Sequence, residues 1–401
     1  MPRPLDGLLV LDLSHVLSGP FATMILADLG ADVVKIERPG WGDLARGNGP
    51  FFGQGEGRRS AYFMSINRGK RSVALDLERP KGKALFLRMV EVADVVLENF
   101  RPGAMAKLGL DYDALRRRNP RLVYAAISGF GQTGPYAAKP AFDVIVQGMG
   151  GIMSVTGEPG GGPVRPGTSL GDITASLYTV IGVLAALRER DRSGQGQMLD
   201  IGMMDCQVAI LESAMSRYLA TGEIPRPLGT RHPIATPFQA FKSSDGYVVV
   251  AIMGGERNQW ELFCSAIGRL ELMDDPRFQD GFSRSQHYDA LEPIFNEAFL
   301  QKSTQEWLDE FTALGIPCGP VNTIDKVAAD PQVQHRGMIA EVRHPALGPV
   351  KTVGSPLKLS RTPPVLDRAA PDMGEHTDEV LKALLGMSDA ELASLREEKV
   401  I

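Results

Sequence analysis

The chain has 401 residues, 43% of them hydrophobic and 23% charged, and a formal net charge of −5. This length exceeds the ~250–300 residues at which a single core stops growing, so we expect two domains. The slightly acidic balance provides no dominant basic face, so we expect no nucleic-acid partner. The three cysteines, Cys206, Cys264 and Cys318, are far apart, which indicates a reduced protein without a disulfide framework or a zinc site.

No targeting or membrane signal is evident in the hydropathy pattern. Asp6 and Asp12 interrupt the apolar run near the N-terminus, which argues against a secretory signal. No stretch supplies the ~18–20 consecutive apolar residues of a membrane-spanning helix. We therefore expect a soluble, cytoplasmic protein with no membrane partner.

Between Leu8 and Ile127, segments with a strand pattern alternate with segments with a helix pattern. The predicted strands are Leu8–Leu13, Ala31–Glu37, Ser72–Leu77, Asp94–Glu98 and Leu122–Ile127; the predicted helices are Pro20–Leu29, Pro80–Val92, one that begins near Pro102, and Asp111–Arg118. Apolar strands separated by amphipathic helices form βαβ units. They predict an α/β fold with a Rossmann-like parallel sheet that is covered on both faces.

The predicted secondary structure changes twice in the middle of the chain. Residues 142–219 predict mainly helices, with a glycine-rich loop at Gly157–Gly167. Pro and Gly residues from Thr221 to Pro237 then indicate a domain junction.

Beyond the junction, the pattern predicts a smaller α+β domain that ends near Ala329. Its strand is predicted at Gly246–Ile252, and its helices at Trp260–Leu270 and Tyr288–Phe299. The remaining tail predicts extended stretches and a final helix at Asp389–Lys399.

Asp172 is the carboxylate that the sequence singles out. It follows the glycine- and proline-rich loop and precedes residues 173–187, which are mostly apolar or small and predict a mostly buried helix. Asp172 is therefore predicted to be the N-cap or the first residue of that helix. Taken alone, this feature favours a structural cap over a catalytic carboxylate.

The segment Gly129–Gly134 fits the dinucleotide-binding pattern G-x-G-x-x-G and follows a predicted strand. That motif requires a helix to begin at the glycines, so that the pyrophosphate meets the helix N-terminus. Pro135 and Pro140 leave no room for an ordered helix there. We therefore predict that NAD does not bind at this segment.

Basic and small residues follow several predicted strands. They lie in the segments His15–Pro20, Glu37–Pro39, Asn67–Arg71 and Asn99–Gly103. Because the carboxyl ends of parallel strands share one edge of the sheet, these segments predict a site for a phosphorylated ligand. Taken singly, each basic segment is more typical of a solvated face.

The chain resembles the class III CoA-transferases of the CaiB/BaiF type, which include the carnitine, the formyl-CoA:oxalate and the succinyl-CoA:dicarboxylate CoA-transferases. The similarity extends from Leu5 to Thr377. Its motifs, in chain order, are HVLSGP, ADVVKIERP, the Gly-Asp pair at Asp43, NRGKRS, NFRPG, SGFGQTGP, the SLGD segment before Ile173, and GIPCGPV.

The resemblance implies that Asp172 is the nucleophile. In this family the matching aspartate attacks an acyl-CoA thioester, forms a mixed anhydride, and then carries CoA as an aspartyl-CoA thioester to an acceptor carboxylate. Such chemistry requires an ionised carboxylate, little water, and donors for the developing oxyanion. CoA and acyl-CoA are then substrates, and no tightly bound cofactor is expected.

The resemblance also implies where CoA binds and how the chain assembles. The matching CoA contacts are Val16, Leu17, Ser18, Arg38, Asn99, Phe100, Gly103, Ala104 and Lys107, with Lys139 as a weaker candidate. Family members form an interlocked homodimer, in which each chain threads the other. The implied domains are 1–200 for the first part of the large CoA-binding domain, 201–227 for a linker, 228–330 for the small domain, and 331–401 for the return to the large domain.

Two departures from the family pattern concern the substrate. The formyl-CoA enzymes have Gln at the position of Leu17 and a Trp near Asn48, so we do not expect oxalate or formate to be the substrates. Their flexible glycine run is shortened here to Gly254-Gly255, followed by Glu256. This shortening argues against the lid motion of those enzymes in this chain.

Two alternatives remain. An α-methylacyl-CoA racemase shares the fold and has a His directly before the residue that matches Asp143, where this chain has Phe142. Phenylalanine cannot transfer a proton, although Glu256 matches a catalytic Glu of the racemase. A CoA-binding regulator without catalysis is the second alternative, and the presence of Asp172 disfavours it.

The acyl substrate is predicted from the C-terminal half of the chain. The C-terminal half resembles members that use succinyl-CoA or other dicarboxylyl-CoA donors, and Arg46 is a weak candidate anchor for a distal carboxylate. Gly254, Gly255 and His232 are weak candidates for further substrate contacts. The six histidines are scattered without ligand spacing, so we expect no metal site.

Overall fold

The computed structural model describes residues 3–253 and 257–401. The chain divides into two compact units. The first contains residues 1–152, 165–219 and 331–401, and the second contains residues 153–164 and 220–330.

The strands have the following bounds in chain order: β1 Leu9–Asp12, β2 Asp32–Glu37, β3 Phe51–Phe52, β4 Arg59–Ser60, β5 Arg71–Ala74, β6 Val95–Glu98, β7 Val123–Ser128, β8 Met198–Gly202, β9 Phe238–Lys242, β10 Tyr247–Ala251, β11 Cys318–Pro320, β12 Ile339–His344 and β13 Gly348–Val353.

The α-helices have the following bounds: α1 Ser18–Asp28, α2 Ala61–Asn67, α3 Pro80–Val90, α4 Ala104–Leu108, α5 Tyr112–Arg118, α6 Asp143–Met149, α7 Leu170–Ser193, α8 Met203–Ala209, α9 Glu212–Thr221, α10 Arg257–Ala266, α11 Gly281–Gln286, α12 Tyr288–Phe299, α13 Thr304–Ala313, α14 Ile324–Ala329, α15 Pro331–His335, α16 Thr377–Leu385 and α17 Asp389–Glu397.

A six-stranded parallel sheet, in the order β5-β2-β1-β6-β7-β8, is the centre of the first unit. Neighbouring residues of one strand, such as Val33 and Val34, are both fully buried because they face separate apolar layers. One layer includes α3, α5 and α16, and the other includes α1 and α7. The predicted α/β fold with a parallel sheet covered on both faces is confirmed.

The sixth strand, β8, was missed, because residues 142–219 were expected to be mainly helical. It lies at the edge of the sheet, where its residues alternate between exposed and partly buried. A short edge strand of this kind lacks the longer apolar runs of β1, β6 and β7. No helix begins at Gly129–Gly134, and the next helix after β7 is α6.

The compact units divide differently from the predicted domains. Residues 203–219, which were expected to be linker, form α8 and most of α9 and belong to the first unit. Met203, Cys206 and Gln207 are buried there, so this segment contributes to the core. Residues 153–164 belong instead to the second unit.

The last part of the chain covers the edge of the large sheet at β5. The N–H of His376 donates to the carbonyl of Ser72 at 2.9 Å, and the N–H of Ala74 donates to Thr377 Oγ1 at 3.0 Å. Glu379 pairs with Arg71 at 3.0 Å. The edge strand is therefore completed by residues about 300 positions later in the chain.

The second unit contains an antiparallel sheet in the order β11-β10-β9. Helices α10, α12 and α13 form an aromatic core with it. Phe241 and Phe299 stack there with their ring centroids 4.1 Å apart.

One helix of the described residues, α7, is long and apolar enough to cross a membrane by composition alone. Half of its most apolar stretch is buried inside the protein, and α7 packs against α1, α6 and α8. Burial against these neighbours accounts for the buried half of this stretch, and a membrane protein is not indicated.

Candidate active site

A cleft of about 650 Å³ opens at the carboxyl ends of the strands. The strand order places β1 between β2 and β6, so the connections leave β1 and β6 in opposite directions across the sheet. Open α/β sheets bind ligands at such a reversal. The cleft is lined by the loops that follow β1, β2, β5, β6 and β7, and by Asp172 at the start of α7.

Asn99, directly after β6, joins the ends of β1 and β6. Its Oδ1 accepts the N–H of His15 at 2.8 Å, and its Nδ2 donates to the carbonyl of His15 at 2.8 Å. Nδ2 also donates to Ser18 Oγ at 3.2 Å. Because Ser18 Oγ accepts from Asn99, its own proton is available to the Asp172 carboxylate, and a hydrogen bond from Ser18 lowers the pKa of Asp172.

Between these contacts, Val16 adopts a left-handed backbone conformation with φ of 67°. A β-branched residue adopts this conformation only where its surroundings impose it. The N–H of Val16 donates to Asp43 Oδ1 at 3.0 Å. The chain then enters α1 with Leu17 and Ser18 buried.

Asp172 is the third residue of α7, so the prediction that it is the N-cap or first residue was wrong. Helix α7 is capped from outside, because the N–H of Gly171 donates to Asp143 Oδ1 at 2.9 Å. A Cβ at position 171 would lie 2.6 Å from Val146 Cγ2, so glycine is required for this approach of α6. Since Asp143 supplies the cap, the Asp172 side chain faces the cleft.

Burial, followed by the charge of Asp143, raises the pKa of Asp172 to about 7. The hydrogen bond from Ser18 and the charge of Arg165 oppose this rise. Arg165 itself pairs with Asp143, with Nη2 2.7 Å from Oδ2. A poorly solvated carboxylate with a pKa near neutrality is more basic than an ordinary aspartate, which favours attack on a carbonyl carbon.

Tyr62, on α2, also faces this acidic group. Burial and the negative charges of Asp172, Asp43 and Asp143 raise the pKa of Tyr62 to about 12. Its phenol therefore keeps its proton at neutral pH and remains a hydrogen-bond donor.

Three residues around Asp172 were not predicted as site residues: Asp143, Arg165 and Tyr62. The sequence does contain a signal for Arg165, because it is the one cation in the loop 157–167 that leads to Asp172. It contains no signal for Tyr62, since only folding brings α2 to the start of α7.

Most of the predicted CoA contacts line the cleft together with Asp172. These are Val16, Leu17, Ser18, Arg38, Asn99, Phe100 and Lys139. Gly103, Ala104 and Lys107 do not line it. They lie at and within the short helix α4 after β6, where Gly103 has φ of 85° and Lys107 is exposed.

Two cations of the cleft lie at its exposed rim. Arg38 pairs with Glu78 at 3.2 Å, and both side chains are more than half exposed. Lys139 Nζ lies 3.8 Å from the centroid of the Tyr136 ring. Both are accessible to the phosphates of a ligand that enters from solvent.

Arg46, the predicted carboxylate anchor, has other partners. Its guanidinium forms two hydrogen bonds with Glu37, at 2.6 and 2.7 Å, and a third with the carbonyl of Pro371 at 3.1 Å. It also stacks on Phe63, 3.8 Å from the ring centroid. Arg46 does not line the cleft with Asp172, so the structure does not bring these two residues together.

The other substrate candidates lie in the second unit or outside the described residues. His232 belongs to the second unit, where its ring packs on Phe238 with centroids 4.9 Å apart. Gly254 and Gly255, with Glu256, lie outside the described residues.

The basic segment Asn67–Arg71 does not face a ligand, contrary to the prediction. Its three cations are buried in ion pairs: Arg68 with Asp28, Lys70 with Asp12, and Arg71 with Asp32 and Glu379. Buried charges require such partners, and sequence alone does not show that these cations point into the protein. The interpretation as a solvated face was wrong for the same reason.

Over residues 3–253 and 257–401, no group of three or more His, Cys, Asp or Glu side chains is arranged to hold a metal ion. The three cysteines are free thiols.

Comparisons with known proteins agree with this geometry. The sequence pattern of CoA-transferase family III matches residues 5–377. The chain is 41% identical to the succinate–glutarate CoA-transferase of Agrobacterium fabrum, over 95% of this chain and 96% of that protein. It is 44% identical to the acetyl-CoA:oxalate CoA-transferase of Acetobacter aceti, over 89% of each chain.

Among solved structures, the chain is similar to a CaiB/BaiF family protein from Brucella suis. The TM-score is 0.86 at 39% sequence identity, covering 96% of this chain and all of that one. Agreement of sequence and structure over nearly the full length shows that the chain belongs to CoA-transferase family III and is a CoA-transferase.

Proposed function

We propose that this protein transfers CoA from succinyl-CoA, or a similar short dicarboxylyl-CoA, to a small carboxylic acid, with Asp172 as the nucleophile. The observation that carries the proposal is the partly buried Asp172, which lies in the cleft at the switch point of the sheet and accepts a hydrogen bond from Ser18. The pantetheine of CoA would pass Val16 and Leu17, and its phosphates would meet Arg38 and Lys139 at the rim.

The first half-reaction forms and breaks an acyl bond at Asp172. An oxygen of the ionised carboxylate attacks the thioester carbonyl, the C–S bond breaks, and CoA leaves as a thiolate. The product is a mixed anhydride between the acyl group and Asp172. The retained thiolate then attacks the carbonyl carbon of Asp172, which forms an aspartyl-CoA thioester and releases the donor acid as its carboxylate.

The second half-reaction reverses these steps with the acceptor acid. Its carboxylate attacks the aspartyl-CoA thioester, releases the CoA thiolate, and forms a new anhydride. The thiolate attacks the acyl carbon, which yields the new acyl-CoA and restores the Asp172 carboxylate. No net proton is consumed, so the cleft has to keep Asp172 ionised and exclude water from the two acyl intermediates.

A racemase lacks support from these residues. Proton transfer at the α-carbon requires a base on each side, and Phe142 occupies the position of the racemase His. The Phe142 side chain is 75% exposed and has no group that can accept a proton. The relatives that are 41%, 36% and 44% identical to this chain are all named as CoA-transferases.

The substrate class rests on the relatives. Proteins named succinyl-CoA:glutarate CoA-transferase and succinyl-CoA:mesaconate CoA-transferase, from Homo sapiens and Haloarcula marismortui, are 36% and 40% identical to this chain. The purified protein, incubated with succinyl-CoA and labelled dicarboxylic acids, should produce labelled acyl-CoA. Asp172→Ala should abolish it, and absence of exchange with all dicarboxylyl-CoA donors would refute the substrate class.

We propose further that the protein works as the interlocked homodimer of its family, in the cytoplasm. Large apolar side chains on α6 and α7 support a partner surface, since Val144, Leu177 and Ile181 are exposed in the single chain. Light scattering coupled to gel filtration should give twice the mass of the 43.4 kDa chain. A mass equal to one chain would refute the dimer.

A further inference from the structure

We propose that Asp43 and Lys35 are positioning residues for the transfer reaction, because they hold Val16 in its left-handed conformation and thereby fix Leu17 and Ser18 against Asp172. The inference rests on the proposed function, and assigns a task to a buried ion pair that touches neither substrate nor Asp172.

The contacts of Asp43 connect two parts of the first unit. Its Oδ1 accepts the N–H of Val16 at 3.0 Å and the N–H of Ala45 at 2.8 Å, at the start of a single 3-10 turn. Its Oδ2 lies 2.9 Å from Lys35 Nζ. The backbone N–H of Asp43 donates to Glu37 Oε2 at 2.8 Å. Contacts with Ala45, Lys35 and Glu37 therefore fix the position of Asp43, independently of its hydrogen bond with Val16.

Lys35 fixes the other end of the same loop. Its Nζ donates to the carbonyl of Ser14 at 2.6 Å and also lies 3.9 Å from Asp12 Oδ2. Lys35 is fully buried and Asp43 is 1% exposed. Although burial opposes the charged forms, the pKa of Asp43 is lowered and the pKa of Lys35 is raised, since the neighbouring opposite charges outweigh burial. Both groups remain charged at neutral pH.

The conformation of Val16 shows why this hold is needed. Left to its own preference, a valine leaves the left-handed region for extended backbone. That change would turn the following peptide and withdraw Ser18 from Asp172. Asn99 holds His15 and Ser18 on either side of Val16, but the N–H of Val16 itself is held by Asp43.

The test is a cycle of three variants: Asp43→Asn, Val16→Gly, and the two combined. Asn removes the charge opposite Lys35 and weakens the hold on Val16, so kcat with succinyl-CoA should fall about 10- to 100-fold while KM changes by less than about threefold. Glycine adopts a positive φ without strain. Val16→Gly in the Asp43→Asn background should therefore recover at least about fivefold of the lost kcat.

The control is Asp28→Asn. Asp28 forms an equally buried ion pair with Arg68, at the far end of α1, roughly 15 Å along the helix from Ser18. This variant should lower the denaturant midpoint and leave kcat within about twofold. If Asp28→Asn lowers kcat as much as Asp43→Asn does, the loss reflects general destabilisation and the positioning role is wrong.

The remaining outcomes separate this inference from the proposed function. If Asp43→Asn does not fold, Asp43→Glu replaces it, because it keeps the charge opposite Lys35 while displacing the acceptor from Val16. An unchanged kcat, or a loss that glycine at position 16 does not relieve, overturns the inference while wild-type exchange stands. If the wild-type protein shows no CoA exchange, the proposed function is refuted, and so is the role of Asp43 and Lys35 in that reaction. The denaturant midpoints of the three variants then still show whether residues 16 and 43 are energetically coupled.

Discussion

Replacing Asp172 with Asn should make the protein more stable while abolishing its activity. Asn has nearly the volume of Asp and keeps a hydrogen-bond acceptor for Ser18, but it cannot form the anhydride. The pKa of Asp172 is raised to about 7 from an ordinary value of 3.8, because the folded protein disfavours the ionised form. Holding that charge therefore costs free energy of folding, and Asn removes the cost.

The magnitude follows from the difference between the two pKa values. At 1.36 kcal/mol per unit, a rise from 3.8 to about 7 corresponds to up to about 4 kcal/mol. A carboxyl group with a raised pKa in the folded state contributes stability below its unfolded pKa, and this is lost as the pH rises through the folded pKa. The stability advantage of Asp172→Asn should thus grow between about pH 4 and about pH 7 and stay constant above.

Denaturant unfolding of wild type and Asp172→Asn at about pH 5 and about pH 8 measures this difference, and the exchange assay should show kcat lowered at least about 1,000-fold. Asp191→Asn, an exposed carboxylate on the same helix, is the control and should show no growing advantage. A stability difference that does not change with pH, or an Asp172→Asn protein that is less stable at about pH 8, would refute the electrostatic argument.

Three further predictions concern other charged residues of the first unit. Asp143→Asn removes the negative charge beside Asp172 and should move the midpoint of the pH profile of kcat/KM downward by about one unit, measured from about pH 5 to pH 9; an upward shift would contradict the assignment. Arg38→Gln should raise KM for the acyl-CoA about 3- to 10-fold with little change in kcat, and the effect should shrink in high salt, whereas an equal loss in kcat would place Arg38 in the chemistry. Lys70→Met leaves Asp12 buried without that partner and should lower the free energy of unfolding by about 3–5 kcal/mol in a denaturant titration; a loss below about 1 kcal/mol would mean that the remaining partners of Asp12, which are Lys35, Ser14 and Thr23, compensate its charge.

The sheet was predictable because its central strands are buried on both faces. Such strands are mostly apolar, and β1, β2, β6 and β7 lie within a residue or two of their predicted bounds. The edge strand β8 was not recognised, since an edge position needs no such composition. The carboxyl ends that line the cleft were placed correctly for the same reason that the strands were.

The electrostatics of the site were less accessible from the sequence. Charged residues such as Lys35 and Lys70 look exposed in a sequence, and only tertiary contacts show that they are buried among carboxylates. Val16 is the clearest case, because β-branched residues favour extended backbone and no local pattern predicts φ of 67°. Asp172 was identified from the loop that precedes it and from the family resemblance. The cap that Asp143 provides to α7 could not be predicted, because it depends on the approach of α6.

The contacts that complete β5 set a constraint on how the protein is made. Ser72 and Ala74 are bound by His376 and Thr377, which a ribosome synthesises about 300 residues later. During most of translation, the nascent chain therefore displays an open sheet edge that can pair with other chains. A product truncated after the second unit retains that edge permanently, so it should be retained by chaperones or degraded rather than persist as a partially active enzyme.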